Sequence, residues 1–460
     1  MTVKNNIHSL YFEGIGGIGM SNLARYFLSK GKKVAGYDRT ETELTKSLAE
    51  EGAVIHYEDD PGLIPDFCKD ADTTVVVYTP AIPVDSLEHS YFKTHGFRIY
   101  KRAQMLGEIT KTSKALCCAG THGKTTTSSM LAHILKQSHL DCNAFLGGIL
   151  KNYNSNLLLS DKSDYTVVEA DEYDRSFHWL HPYMALITSA DPDHLDIYGT
   201  EEAYTESFEK FTSLIQDNGT LVIKHGIALT PRTNPSVKIY TYSIEKGDFR
   251  AENIKIGNGE IRFDFITPNG TVKDIGLGVP VRINIENAIG SMAIALLCGV
   301  TPDELKNAIG TFQGARRRFD FLLKTDKTVM IDDYAHHPQE LVACISSVKE
   351  LYPDKKITGV FQPHLYSRTQ DFADEFAQSL SLLDELILLD IYPAREKPIE
   401  GVSSEIIYDK VTCPKTLCKK EDLPDIIKEK DIDVLLTMGA GDIDQLLPAL
   451  KETLTAKYNI

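Results

Sequence analysis

No apolar run in the chain reaches the roughly 20 residues that a bilayer-spanning helix needs. Residues 1–9 show no basic segment followed by an apolar one, so the expectation is a cytoplasmic protein with no membrane partner. No two of the eight cysteines are spaced Cys-x-x-Cys. Several, such as Cys117 and Cys118, stand in apolar stretches where a free thiol packs as a small hydrophobe. That disfavours a disulfide framework and a cysteine-built metal site, and it implies a reducing compartment. Positive charge is in deficit: 49 lysines and arginines face 65 aspartates and glutamates, a net charge of −16. With both signs interspersed, general binding to nucleic acid or to an anionic membrane is excluded, while a local basic site for phosphate is not. Internal repeats and low-complexity tracts are also missing.

What is present is an ordinary globular composition over 460 residues, enough for about three domains that each bury a core. Strand and helix patterns alternate, which predicts an α/β protein. The first unit, 1–107, reads as a Rossmann-like parallel sheet with strands at 9–13, 33–37 and 73–78 and a helix at 21–29. The central unit, 108–315, has strands at 115–119, 165–168 and 184–188 and a helix at 201–215. From 221 to 281 the period changes to two, with Asn258-Gly259 and Asn269-Gly270 as turns, which predicts a small antiparallel insertion. A helix of small residues follows at 285–297, then Gly314-Ala315-Arg316-Arg317-Arg318 reads as a hinge or linker. The last unit, 316–460, alternates again, with strands at 328–331, 357–361, 386–389 and 434–437 and helices at 341–351, 371–382 and 443–453. It too reads as Rossmann-like.

The most informative segment is Gly120-Thr121-His122-Gly123-Lys124-Thr125-Thr126-Thr127, set between an apolar strand and a helix. Glycines, a lysine and a hydroxyl at a helix start make a phosphate cradle: main-chain N–H groups and the helix dipole meet the anion, and the lysine reaches the terminal phosphates. The first glycine of the usual spacing would fall on Cys118, so this is a variant loop. Gly14-Ile15-Gly16-Gly17-Ile18-Gly19, with Asp38 further on, resembles a dinucleotide fingerprint. On its own it fits NAD, FAD or a UDP-sugar equally. Glu169 ends a buried strand beside the phosphate loop, where an acid can hold Mg²⁺. His194, among Asp191, Asp193 and Asp196, is a candidate second-metal ligand at another strand end. Two polar clusters follow strands of the last unit: Asp332-Asp333-Tyr334-Ala335-His336-His337-Pro338, and Gln362 to Thr369 with His364 and Arg368. Arginine and histidine there suit a carboxylate or a phosphate. Asn287, at the start of the small-residue helix, suits an adenine edge or a helix cap. The turn Met438-Gly439-Ala440-Gly441-Asp442-Ile443 reads as structural.

In order along the whole chain these segments resemble the Mur ligases, ATP-dependent enzymes of peptidoglycan precursor synthesis. The likeness is carried by the loop at 120–126, Glu169-Ala170-Asp171-Glu172, Asp193-His194-Leu195-Asp196, Asn284 with Asn287, Arg317-Arg318-Phe319 and the cluster at 332–338. Residues 14–20, Phe312-Gln313-Gly314, Arg317-Arg318-Phe319-Asp320, the segment 361–369 and the segment 438–443 resemble the branch that joins L-alanine to UDP-N-acetylmuramate. The resemblance implies ATP and Mg²⁺ as cofactors and those two small molecules as substrates. ATP would meet Gly120, Thr121, His122, Gly123, Lys124, Thr125, Thr126, Asn287, Arg317 and Asp333. The UDP-sugar would meet Gly14, Gly16, Gly17, Gly19 and Asp38, and the amino acid Tyr334, His336 and Arg368. Thr125, Glu169 and His194 would hold metal, and Lys124, Glu169 and His194 would carry the catalysis. The chain departs from the family at Ile283, where a histidine is common, and at Leu365, where some relatives have arginine. A recycling ligase that adds a tripeptide to UDP-N-acetylmuramate is the alternative within the family. A nicotinamide-dependent dehydrogenase would leave Lys124, Glu169 and His194 without work.

Overall fold

A computed structural model describes residues 7–394 and 396–460; residues 1–6 of the N-terminal segment and the side chains of Leu195 and Asp196 lie outside the described part. Three mostly parallel sheets and one small antiparallel sheet follow one another along the chain. The first is five-stranded and parallel throughout, in the spatial order Val54–His56, Lys33–Tyr37, Ser9–Glu13, Thr74–Tyr78, Arg98–Lys101. Its central strand is buried at every position, as a sheet covered on both faces requires.

The central sheet has seven strands: Lys238–Tyr242, Thr220–Lys224, Met184–Ile187, Lys114–Ala119, Tyr165–Ala170, Asn143–Leu150 and Ser155–Leu158. All pairs are parallel except the last. Strand Lys114–Ala119 sits between Met184–Ile187 and Tyr165–Ala170, so the segments that leave these three strands open at the same carboxyl edge. Such a switch point is where open α/β sheets bind ligands. Cys117 and Cys118 are buried in that strand, and all eight cysteines are free.

The antiparallel insertion is smaller than the period-two texture suggests. It comprises Arg250–Gly257, Glu260–Thr267 and Gly270–Gly276, whereas Thr220–Lys224 and Lys238–Tyr242 extend the parallel sheet instead. Asn258 and Gly259 both take positive φ, at 53° and 75°, as a two-residue hairpin turn demands.

The last sheet is six-stranded, in the order Asp320–Lys324, Val329–Asp333, Val434–Met438, Ile357–Phe361, Glu385–Leu389, Lys415–Cys418. Only its first pair is antiparallel. The expected hinge at 314–318 is not a free linker. Gly314 O accepts from Lys151 N at 3.0 Å and Arg316 N donates to Ile149 O at 3.0 Å, so this crossover is zipped to strand Asn143–Leu150. The first unit rests on the central one through Tyr26 against Phe145, 5.4 Å between ring centres. Among the described residues no helix is long and apolar enough to cross a membrane.

Candidate active site

The phosphate loop leaves the buried strand Lys114–Ala119 and enters helix Lys124–Lys136. Gly120 (φ 145°) and Gly123 (φ 81°) are both left-handed, a conformation costly for any residue with a Cβ. Space forbids a side chain as well: a Cβ on Gly123 would stand 2.9 Å from Asn287 Oδ1. Gly123 caps the helix without a side-chain hydrogen bond, so the first N–H groups of the helix are free to meet an anion. The loop is held from behind. His122 N donates to Ser189 Oγ at 2.8 Å, and the Thr188 hydroxyl donates to His122 O at 2.5 Å. The Thr121 hydroxyl donates to Asp191 O at 2.7 Å and lies 2.8 Å from Tyr204 OH. Thr126 is half-buried in the first helical turn.

Lys124 Nζ donates to Gly120 O and to Glu172, each at 2.7 Å. Thr125 Oγ1 donates to Glu169 Oε1 at 2.9 Å, and Gly147 N donates to Glu169 Oε2 at 2.9 Å. Burial pushes the Glu169 carboxyl above its ordinary range, opposed by the Thr125 and Gly147 donors and the nearby Lys124 charge. A hydroxyl paired with a desolvated carboxylate is a hard-oxygen donor set, which fits Mg²⁺. Among the described residues no group of three or more histidines, cysteines or acids stands close enough to hold a metal. His194 contacts neither Thr125 nor Glu169 in this arrangement; its Nε2 is 3.8 Å from Asp193 and its ring meets the edge of Tyr173 at 5.3 Å. Tyr173 follows the Glu169 strand closely in sequence, so His194 faces the same loop.

Asn287 does not begin its helix, which runs Arg282–Cys298 with Val281 as cap. The capping role is therefore overturned. Asn287 is buried two turns in, receives a hydrogen bond from Thr127 Oγ1 at 3.3 Å and donates to Asn284 at 3.2 Å. It braces the phosphate loop from below.

In the first unit, Gly14 is left-handed (φ 83°) and Gly17 caps helix Ile18–Ser29 without a side-chain bond. Asp38 takes the Gly16 N–H at 2.8 Å and the Thr40 N–H at 3.2 Å, so its carboxylate holds the glycine turn closed. The Gly19 side of this turn opens into a cleft of about 320 Å³ shared with the central unit. Gly19, Asn22 and Arg102 form one wall; Gly147, Asn156 and Glu169 form the other. Arg102 is closest, its side chain lying across Gly19, where a Cβ would stand 2.9 Å from Arg102 Cδ. A larger hollow of about 810 Å³ behind the phosphate loop is walled by Asp191, Glu201, Glu202, Glu206 and Glu209, which outnumber Lys224 and Arg232 and leave it net negative. That charge repels phosphate, so size alone does not choose the site.

In the last unit, Tyr334, His336 and Arg368 come together, with His364 between them. The rings of His336 and Tyr334 are 5.3 Å apart, those of His336 and His364 6.2 Å, and Arg368 reaches His364 Nδ1 at 3.5 Å. Burial lowers the pKa of His336. Burial and then the Arg368 charge lower that of His364. Both rings therefore favour the neutral form. Leu365 adopts φ 73°, strained for a branched aliphatic residue. Arg317 and Asp333 are turned inward. Arg317 donates to Gly439 O at 2.5 Å and pairs with Asp332 at 3.3 Å, while its guanidinium covers the Tyr334 ring at 5.1 Å. Asp333 accepts from Phe319 N at 2.7 Å and Ala335 N at 2.8 Å, and burial raises its pKa to about 6.

Sequence reading passed over two of these groups, while it noted His364 only as part of its cluster. Glu172 stood inside a cluster already noted, and only its contact with Lys124 singles it out. Arg102 belongs to no motif and carries no sequence signal.

Three family models match in order along the chain: "Mur ligase family, catalytic domain" over 9–114, "Mur ligase middle domain" over 118–295 and "Mur ligase, glutamate ligase domain" over 317–441. The chain is 65% identical to the UDP-N-acetylmuramate–L-alanine ligase of Parabacteroides distasonis over 452 residues, 98% of each chain. It is 49% identical to the enzyme of the same name from Flavobacterium johnsoniae, again over 98% of each. Among solved structures, the UDP-N-acetylmuramate–alanine ligase of Thermotoga maritima superposes with a TM-score of 0.77 at 27% identity, covering 97% of this chain and 99% of that one. A murein peptide ligase from Psychrobacter arcticus shares the fold, with a TM-score of 0.60 at 21% identity over 98% and 99% of the two chains. With relatives this similar over nearly its whole length, and with all three models in register with its three parallel sheets, the chain belongs to the Mur ligase family.

Proposed function

We propose that the chain joins L-alanine to the lactyl carboxylate of UDP-N-acetylmuramate at the expense of ATP, through an acyl phosphate, releasing ADP and phosphate. The observation that carries this is the shared cleft: Gly19 and Arg102 of the first unit and Glu169 of the central unit line one space, beside Lys124 and Thr125. A carboxylate delivered by the glycine turn thus arrives where a terminal phosphate would lie. The units divide the work, with 1–107 presenting the UDP-sugar, 108–315 the ATP and 316–460 the amino acid.

The carboxylate oxygen forms a bond to the γ-phosphorus as the bond to the β,γ-bridging oxygen breaks and ADP departs. The alanine nitrogen then adds to the acyl carbon, the tetrahedral adduct expels phosphate, and a proton leaves the nitrogen. Two anions must meet, so charge neutralisation and alignment are the main demands on the protein. Lys124 screens the β- and γ-phosphates, and the bare helix start receives them. Thr125 and Glu169, with His194 from the facing loop, would hold Mg²⁺, which would supply further positive charge against the phosphates. Asn287 braces the loop that would hold the nucleotide, and Arg317 would meet its far end on release from Gly439 and Asp332. Asp333 orders the turn that carries Tyr334, and His336, Arg368 and His364 would hold the amino acid. Arg102 takes the substrate's negative charge in the cleft.

Phosphate release from ATP and UDP-N-acetylmuramate tests the reading, with L-alanine, L-serine, glycine and the tripeptide as separate acceptors. L-Alanine is expected to give the highest rate, and turnover with the tripeptide alone would overturn the assignment. The relatives at 65% and 60% identity over 98% of the chain are named for L-alanine, whereas the murein peptide ligase that shares the fold is only 21% identical, which speaks against the tripeptide. A second result is expected from Arg102→Ala: KM for the UDP-sugar rises about tenfold while kcat falls less, the size of one lost charge-assisted hydrogen bond.

A further inference from the structure

We propose that Glu172 is a positioning residue that competes with ATP for Lys124, so that nucleotide capture requires the polyphosphate to win the lysine from an internal carboxylate. The proposal rests on the reading that ATP docks at the 120–126 loop.

An ammonium group has three N–H donors. Those of Lys124 are directed at protein acceptors: Gly120 O at 2.7 Å, the Glu172 carboxylate at 2.7 Å and, more loosely, Thr121 O at 3.4 Å. Glu172 is 2% exposed, so its charge is screened by Lys124 rather than by water. A carboxylate in such surroundings holds its partner strongly and resists losing it.

The tether is also built to stay in place. The Tyr198 hydroxyl donates to Glu172 O at 2.5 Å, the Tyr198 ring meets Tyr204 edge-on at 4.8 Å, and the Tyr204 hydroxyl lies 2.8 Å from that of Thr121. Lys124, Glu172, Tyr198, Tyr204 and Thr121 thus close a ring around the phosphate loop. Directly after Tyr173, Asp174 and Arg175 both adopt left-handed backbone, φ 50° and 55°. Two such non-glycine residues in succession persist only where the surroundings over-determine them. Here the Arg175 N–H bonds Glu172 O at 2.9 Å and its guanidinium covers the Tyr198 ring at 4.5 Å. The strained turn fixes the carboxylate where it meets the lysine.

Incoming phosphates meet a carboxylate of like sign that already owns their cation. Glu172→Gln keeps the shape and a hydrogen-bonding oxygen but removes the charge. The full-length variant is expected to bind ATP with Mg²⁺ about tenfold more tightly by calorimetry, without the other substrates, and to lower KM for ATP in step while kcat changes less than twofold. Affinity for UDP-N-acetylmuramate should not move, and it serves as the check that the chain is folded. Tyr198→Phe loosens the tether without altering charge and should tighten ATP about threefold. Equal or weaker ATP binding by Glu172→Gln, with UDP-sugar affinity retained, overturns the proposal. Should that variant fail to fold, equal or weaker binding by Tyr198→Phe does the same. A wild-type chain that binds no ATP would instead overturn the reading of the loop itself.

Discussion

Replacing Lys124 with alanine is expected to lower phosphate release by at least about a thousandfold while leaving UDP-N-acetylmuramate affinity within about twofold. Removing one donor to the charge that develops in a transition state typically costs a hundred- to a thousandfold, and a full positive charge facing a triphosphate belongs at the upper end or beyond. The glycine turn proposed to receive the UDP moiety lies in the first unit, and the hydrogen bonds of Lys124 go instead to Gly120, Thr121 and Glu172, so UDP-sugar affinity should report that the chain is folded. Stability will suffer, because Glu172 stays buried and loses its cation. Burial already raises the Glu172 pKa and Lys124 is what opposes the rise. Without the lysine the folded-state pKa climbs further above the unfolded value, so the folded state binds more protons and stability falls as pH increases through that range. Thermal melts of Lys124→Ala should therefore worsen from pH 5 to pH 8 more steeply than those of the wild type. The double variant Lys124→Ala/Glu172→Gln should recover the melting temperature and none of the activity. Recovery of activity would mean that the lysine is structural.

Gly147→Ala is expected to lower kcat about a hundredfold without unfolding the protein. Gly147 faces the cleft and has an ordinary φ, so neither core packing nor backbone strain is at issue. Its new Cβ would overlap both oxygens of Glu169. The carboxylate must swing off Thr125 and give up the Gly147 N–H that fixes its second oxygen. With the donor set misaligned, the Mg²⁺ needed for half-maximal rate should rise at least about tenfold, and excess Mg²⁺ should restore part of the activity. Gly148→Ala is the control: its Cβ would stand 3.2 Å from Thr125 Cγ2, tight but not on the carboxylate, and its effect should be smaller. An unchanged Mg²⁺ requirement in Gly147→Ala would remove Glu169 from the metal site.

The strands that sequence reading found are those buried on both faces. Ser9–Glu13, Lys33–Tyr37 and Ile357–Phe361 match the expected bounds residue for residue, because a covered parallel strand is a continuous apolar run. The edge strands escaped. Arg98–Lys101 and Lys415–Cys418 are half-exposed and mix charge with apolar residues, so no period marks them. Helix bounds failed where the backbone changes pitch: the last helix starts at Leu447, behind a 3₁₀ turn at Asp442–Leu446, and the expected helix over 371–382 is broken at Phe372. The site followed the same division. Glycine turns and the lysine that follows them are local chemistry and can be read from neighbours in sequence. The Arg102 side chain over Gly19 and the Glu172 hold on Lys124 join residues 83 and 48 positions apart, which no local pattern records.

The crossover into the last unit also says where the molecule can bend. Gly314 and Arg316 are bonded to the strand that carries Gly147, so a pivot there would tear main-chain hydrogen bonds and drag the Glu169 carboxylate with it. The left-handed pair Arg317 and Phe319, φ 60° and 46°, lies just beyond that seam. Both residues are bonded into the last unit, Tyr334 N to Arg317 O and Phe319 N to Asp333, so any swing of the amino-acid cluster toward the cleft would carry Arg317 with it and can leave the Glu169 carboxylate in place.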